Sequence, residues 1–344
     1  MPDVSRSSAK TLLKHAHHVW DMTVPWVDMY WSIDLLKRFH AGGYTYVNLT
    51  IQDYPATYSG VVAEIKRFKA LCAPHADWLC FAPTMAEIDK ASADQKLAIG
   101  LNVQDTALIH DDVSAGLDVM LKAGVRHMLL AYQLRNRAAD GCAEPGNAGL
   151  SLFGESLVRE MNAVGMVVDL SHVGKRSTLD AMSISDRPVI FSHSGVKALC
   201  RHIRNIDDEQ IKACAATGGV VGIVGIGAFL GDPAMQAETF FQNVDHIVQL
   251  VGPEHVGIGT DYIDDMPAVW PSMIAGQDTV WRDPYGTQLY EGVAFSPEQL
   301  LELVERMLQA GYSDAAIRGV LGENFYRIYR DEEIARHGGA QLFA

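Results

Sequence analysis

Val167-Val-Asp-Leu-Ser-His172 and Val189-Ile-Phe-Ser-His193 decide how this chain is read. Each is a short apolar run that ends in Ser-His. A strand buried on both faces of a parallel sheet reads as a continuous apolar run rather than an alternating one. In α/β proteins the residue just beyond such a strand is where chemistry is placed. Two successive runs here each deliver an imidazole to one edge, and neutral imidazole is the commonest protein metal ligand. A lone histidine at a strand end is ordinarily a satisfied structural residue. Two at matching positions of neighbouring parallel strands point to a shared site.

Outward from this pair the same alternation recurs. Strand-like runs fall at Val19–Val24, Tyr44–Thr50, Leu97–Val103, Val125–Ala131, Pro188–Phe191, Gly218–Gly227 and His255–Thr260, besides the run that ends at His172. Helical patterns lie between them. They cover Met29–His40 (closed by Gly42-Gly43), residues 58–92 with one break near Pro74, Asp111–Ala123 (stopped by Gly124), Gly154–Val164, Lys175–Ile184, Asp207–Ala216 and Thr239–Val251. A short helix over 1–18 leads the chain, and Ser296–Gly311 and Ser313–Leu321 close it. The leading helix ends in Lys14, His15, His17 and His18, either a solvated helix end or a metal patch. Strict strand–helix alternation implies a parallel sheet. Eight units in one domain spanning 1–344 predict a (β/α)8 TIM barrel, with a doubly wound open sheet as the alternative. No GxGxxG follows the first strand and no GxxxxGK[ST] occurs, so nucleotide-binding readings are weak.

Composition narrows the function. The 344 residues are 48% hydrophobic and carry a formal charge of −14. An acidic surface argues against a nucleic-acid partner and fits a protein acting on a small-molecule substrate. The five cysteines (Cys72, Cys80, Cys142, Cys200, Cys214) are odd in number with no CxxC spacing, which reads as reduced thiols in a cytoplasmic protein. The first residues have no signal-peptide core, and no run reaches the ~18 apolar residues of a membrane span, so no membrane association is expected.

In a barrel the C-terminal strand ends form one face, which places Gln104, Tyr132, His172, His193 and Asp261 around one mouth. Two histidines with oxygen donors suit zinc or a similar divalent ion. Asp261 suits a general acid/base that passes a proton to a leaving amine; the alternative is a turn or N-cap residue. Arg204 suits a clamp for a substrate carboxylate; the alternative is a surface arginine. The polar loop 133–150, with Arg135, Asn136, Arg137 and Asp140, is long for its place, and such loops are often functional. Residues 262–292 are irregular and aromatic, with Trp270, Trp281, Tyr285 and Tyr290.

Asp169-Leu-Ser-His172-Val, Phe191-Ser-His193-Ser, Arg204-Asn-Ile-Asp-Asp208, Gly257-Ile-Gly-Thr-Asp261-Tyr and Gly322-Glu-Asn-Phe325 together resemble the membrane (renal) dipeptidase family, the M19 peptidases. The resemblance runs from about Val19 to Ile328. It implies an amidohydrolase-type barrel, a binuclear zinc centre, hydrolysis of dipeptides (often with a D-residue at the C-terminal position) and a homodimer. Position by position it implies that His172 and His193 bind one metal, that Asp261 handles the proton and that Arg204 binds the substrate carboxylate. Tyr132 falls where typical members carry a histidine that steadies the tetrahedral oxygen, and its hydroxyl could donate that bond. The chain departs from the pattern twice. Where typical members have His-x-Asp after the first strand, it has Asp21-x-Thr23 or, in another register, Thr23-x-Pro25. Where they have a bridging glutamate, it has Gln104, a neutral and weak ligand. The reading is therefore one zinc per chain at His172 and His193, with Gln104 and Asp21 as weak further ligands, in a metal-dependent hydrolase of a dipeptide or similar small amide-bearing acid. The alternatives are a barrel enzyme of non-peptide, betaine-like catabolism and a non-catalytic ligand-binding descendant. Trp20, Tyr44, Tyr46 and Trp270 near the mouth would permit a cation–π pocket for a quaternary ammonium group, or else serve as packing.

Overall fold

The computed structural model describes residues 8–26, 32–51, 57–110, 112–275 and 292–340. Eight strands follow one another in parallel: β1 (Trp20–Pro25), β2 (Tyr46–Thr50), β4 (Leu97–Val103), β5 (Val125–Leu129), β6 (Val167–Asp169), β7 (Ile190–Ser194), β8 (Val220–Ile223) and β9 (Val256–Ile258). Helices cover the outside between them, so the fold is a (β/α)8 barrel. Strands β4, β6, β7, β8 and β9 are buried along their whole length. That explains why these segments read as unbroken apolar runs rather than as alternations.

Helix ends follow the capping chemistry of the sequence. Gly124 and Gly165 stop the helices Val113–Ala123 and Leu152–Val164 in left-handed conformations at φ 101° and 69°. Asp207 and Gln210 form a capping box at the start of Asp208–Ala216.

The helical reading of 58–92 needs correction. Helices Tyr58–Cys72 and Met85–Ala93 flank a ninth strand, β3 (Leu79–Phe81), which pairs with β4 from Leu79↔Leu97 to Phe81↔Ile99. It takes the lower part of the β4 edge, and β5 takes the upper part from Leu101. Three residues, Leu-Cys-Phe, are too few to carry a period of their own. The beginning of the predicted helix Met29–His40 lies outside the described residues, and the described part is Ile33–Ala41.

The N-terminal end of the barrel is plugged. Trp20 and Tyr46 begin β1 and β2, with ring centroids 4.3 Å apart, and the Tyr329 ring packs on Trp20 at 5.6 Å. Any Cβ at Gly100 would lie 1.7 Å from the Tyr46 hydroxyl oxygen, so only glycine fits there. From the motif Gly322-Glu-Asn-Phe325, Asn324 Nδ2 donates to the carbonyls of Pro253 and Val256. Phe325 fills the space where a side chain on Gly257 would stand.

The barrel closes through one buried carboxylate. Among the described residues no strand ladder joins β9 to β1. Instead the Asp261 N–H donates to the Thr23 carbonyl at 2.8 Å. Asp21 then accepts from Thr260 N (3.0 Å), Thr260 Oγ1 (2.5 Å) and Thr23 N (3.1 Å). Burial raises the Asp21 pKa from 3.8 to about 7, although these donors oppose it. Between those values the folded chain holds a proton that the unfolded chain has released. This group's contribution to stability therefore falls as pH rises from about 4 to about 7. Asp21→Ala strips the acceptor from three donors and is expected to lose about 3 kcal/mol in urea unfolding. Asp21→Asn is expected to flatten the slope of stability against pH over that window. An unchanged slope would remove Asp21 as its source.

Candidate functional site

Gln104, Tyr132, His172 and Asp261 follow β4, β5, β6 and β9, and His193 lies in the C-terminal half of β7, so all five belong to one face of the barrel. The two imidazoles meet directly: His172 Nε2 lies 2.8 Å from His193 Nε2. His172 Nδ1 lies 3.1 Å from Gln133 Oε1, which also accepts from the Cys142 thiol. An amide oxygen only accepts, so the Gln133 contact suits the His172 tautomer with its proton on Nδ1, which leaves a lone pair on Nε2. His193 Nδ1 lies 2.7 Å from Ser192 Oγ and 3.2 Å from Thr23 Oγ1. Burial first, and then the positive Arg204, pushes both imidazoles well below the ordinary histidine pKa. Both are neutral at pH 7, the state in which imidazole binds metal.

Backbone strain accompanies these positions. His172, Asp261 and Gln133 take left-handed conformations at φ 63°, 54° and 60°. Each costs of order 1 kcal/mol for a residue with a Cβ. The site residues are held there by the strand ends around them.

Asp169 is the tie between the two histidine-bearing segments. Its Oδ1 accepts from Ser171 N and Ser192 N, each at 3.0 Å. Ser171 Oγ in turn accepts from His193 N at 3.0 Å. The described β6–β7 ladder has one residue pair, Asp169↔Ile190, so this carboxylate carries much of the registration between the imidazoles. Its Oδ2 faces His127 Nε2 at 3.5 Å, deep in the barrel.

Arg204 is 2% exposed and donates from Nη2 to the His193 carbonyl at 3.1 Å. It is a buried arginine of the site, not a surface one. Asp261 is nearly buried; burial raises its carboxyl pKa to about 6, with Arg204 opposing. Tyr132 stacks on the His172 ring at 4.3 Å. Gln104 donates from Nε2 to Thr50 Oγ1 at 3.2 Å, at the top of a chain of amides and hydroxyls (Thr50, Asn102, Asn48) that runs down the barrel to Tyr46 and Tyr329.

Two imidazoles are the donors that the site brings together for a metal ion. The 2.8 Å contact needs a proton on one of the two facing Nε2 atoms, and a metal ion would need both imidazoles protonated on Nδ1 instead, where Gln133 and the Ser192 and Thr23 hydroxyls can accept. On the β1 side Asp21 already takes three hydrogen bonds, and Gln104 brings a neutral amide. Among the described residues no group of three or more His, Cys, Asp or Glu side chains is arranged to hold a metal ion.

Of the two readings of the aromatic residues, the structure shows packing. Trp20 and Tyr46 are not near the mouth: they open strands β1 and β2, so their rings lie at the far, plugged end. Tyr44 is buried against Phe39 at 5.0 Å. These rings pack on one another and form no cage for a cation. The side chain of Trp270, and residues Trp281, Tyr285 and Tyr290, lie outside what is described. The charged residues of the 133–150 loop mainly shape it. Arg135 pairs with Asp140 at 2.5 Å, Asn136 caps Ala138 N and Ala139 N, and Arg137 lies over Phe153. The loop's contribution to the site is Gln133, which sequence reading passed over because a single glutamine carries no spacing signal. Asp169 stood in the motif that ends at His172, yet no pattern in the sequence assigned it a partner.

Residues 35–274 match the family described as Membrane dipeptidase (Peptidase family M19), and the chain belongs to that family. A dipeptidase from Claviceps purpurea, tcpJ, is 33% identical over 225 residues, covering 64% of this chain and 48% of that protein. An uncharacterized dipeptidase from Schizosaccharomyces pombe is 30% identical over 246 residues, covering 70% and 54%. The matched stretch thus spans about half the length of these relatives. An amidohydrolase from Pseudomonas aeruginosa superposes with a TM-score of 0.84 at 27% identity, covering 95% of this chain and 99% of that one. A metallo peptidase from Rhodobacter sphaeroides, solved with a phosphinate mimic of L-Ala-D-Ala, gives 0.73 at 20% identity, covering 91% and 98%, a likeness of fold. No helix of the described residues is long and apolar enough to cross a membrane.

Asp169→Ala is expected to loosen the two histidine strand ends, with a stability loss of about 2–4 kcal/mol from the donors left unpaired. Asp169→Asn keeps an acceptor oxygen and is expected to lose less than half as much. Chemical denaturation of both variants checks this, and equal losses would show that the tie is not through Oδ1.

Proposed function

We propose that this chain is a metal-dependent hydrolase of dipeptides or similar small amide-bearing acids, working with one zinc ion held by His172 and His193. The observation that carries the reading is the pair of buried, neutral imidazoles meeting at 2.8 Å beside Asp261 and Arg204. Membership of the dipeptidase family supports the reaction class. A divalent ion at the pair would supply Lewis-acid polarisation of the scissile carbonyl and a nucleophile at neutral pH.

The chain's own residues supply the rest. Arg204 grips the substrate carboxylate and so orients the amide. Asp261, with a pKa near 6, takes a proton as base and returns it to the leaving amine as acid. The Tyr132 hydroxyl donates a hydrogen bond to the oxygen that gains charge. Gln133 and Ser192 hold the imidazole orientation. Asp21 has no part in holding the ion, because its oxygens are engaged in closing the barrel. The expected assembly is a homodimer.

Metal content per chain, measured by plasma mass spectrometry on protein purified without chelator, is expected to be near one zinc, and His172→Ala is expected to remove it. Two ions per chain, or turnover that survives His172→Ala, would overturn the single-ion reading. The rate on a dipeptide is expected to rise with pH through an apparent pKa of about 6, as Asp261 loses its proton. Asp261→Asn is expected to lower kcat roughly 100-fold or more and abolish that limb. A limb unchanged in the variant would assign the proton transfer elsewhere.

A further inference from the structure

The barrel interior holds an imidazole that the hydrolase reading leaves unused. His127 stands in the middle of β5 and is fully buried. Its Nδ1 lies 2.6 Å from the Tyr329 hydroxyl, and its Nε2 lies 3.5 Å from Asp169 Oδ2. Tyr329 belongs to the C-terminal helix Asn324–Ala340 and is also buried. Its hydroxyl accepts from Asn48 Nδ2 at 3.1 Å. An amide nitrogen only donates, so the Tyr329 proton is left for another acceptor, and His127 Nδ1 is at short range. This arrangement suits the His127 tautomer with its proton on Nε2, facing Asp169. Burial pushes the His127 pKa down to about 4, with Asp169 opposing, so the ring is neutral at pH 7 and carries one ring proton.

His127 Nε2 and Asp169 Oδ2 are both buried without a hydrogen-bond partner, and they face each other. A shift of about half an ångström would bring them to hydrogen-bond distance. The consequence lies with the other oxygen of Asp169. Oδ1 accepts from Ser171 N and Ser192 N, and Ser171 Oγ accepts from His193 N. Ser192 Oγ lies 2.7 Å from His193 Nδ1. A carboxylate is planar, so what fixes Oδ2 also fixes Oδ1. His127 thus bears on His193 through Asp169 and the two serines.

We infer that His127 and Tyr329 are positioning residues for the imidazole pair. Tyr329 holds the His127 ring with its Nε2–H toward Asp169, and that N–H restrains the carboxylate which registers His193. The C-terminal helix is thereby tied to the mouth through the barrel interior. The inference rests on the reading in which His172 and His193 hold a zinc ion. Looseness in the Ser171 and Ser192 segments is then looseness of a metal ligand, and groups that restrain a ligand from behind raise metal affinity.

The test is zinc affinity of the intact, folded protein, measured by competition with a chromophoric chelator, alongside urea unfolding of the same variants. His127→Phe fills the space without a donor and is expected to weaken zinc binding roughly tenfold. His127→Gln, whose amide nitrogen can reach Asp169, is expected to restore most of that affinity. Tyr329→Phe frees the ring and is expected to fall between them. A merely structural role would lower the urea midpoint and leave zinc affinity of the folded variants unchanged, and that result would overturn the inference. Equal affinities in the Gln and Phe variants at 127 would do the same. Should His127→Phe fail to fold, Tyr329→Phe decides, with unchanged zinc affinity there counting against the inference. Nitrogen-15 NMR of the metal-free protein reads the His127 ring directly: the Nε2–H tautomer is expected, and a proton on Nδ1 would overturn the inference. No zinc binding by the unsubstituted protein defeats the single-ion reading and this inference with it. Zinc binding that none of the variants alters defeats this inference alone.

Discussion

One buried carboxylate closes this barrel. Strand β9 reaches β1 through Asp21, whose oxygens collect Thr260 and Thr23, and through a single backbone bond from Asp261 to Thr23. The consequences reach the site directly. The same backbone bond is made by Asp261, which takes a left-handed conformation, and Thr23 Oγ1 lies 3.2 Å from His193 Nδ1. The carboxylate raised by burial and the carboxylate proposed for proton transfer are also electrostatic neighbours. Asp21 is thus a structural latch between the first and last strands, set beside the residues of the mouth.

Beneath the mouth the barrel is polar rather than greasy. Gln104, Thr50, Asn102 and Asn48 form a hydrogen-bonded file down to Tyr46, Tyr329 and His127. A buried polar network stays favourable only while its members are satisfied, because the low dielectric that strengthens each bond also magnifies each missing one. Neutral amides and hydroxyls meet that condition without net charge. This is consistent with Gln104 in place of a carboxylate: the file ends in an amide that can donate to Thr50.

Much of the fold was legible because full burial leaves a plain mark. The eight barrel strands all appeared as apolar runs, and Gly124 marked a real helix stop. Strand β3 did not appear, since three residues on half of a neighbour's edge leave no periodicity. Of the candidate site, the gathering of His172, His193, Asp261 and Arg204 was legible from their places at and after strands and from family motifs. Gln133 and Asp169 were not, because a second-layer partner is chosen by distance across the fold and not by spacing along the chain. The aromatic residues misled for a related reason: Trp20 and Tyr46 are near the site in sequence pattern but begin their strands, at the other end of the barrel.

By itself the sequence determined the strand–helix alternation, the delivery of two histidines and an aspartate to strand ends, and the presence of Asp21 and Thr23 on the first strand and of Gln104 after the strand that ends at Val103. Each of these is a matter of residue type at a local position, which backbone periodicity and side-chain chemistry suffice to read. Only the tertiary structure decided that the imidazoles meet nitrogen to nitrogen, that Asp21 closes the barrel, and that His127 faces Asp169 deep inside it. Those are relations between residues distant in the chain, and they exist only once the strands have been laid side by side.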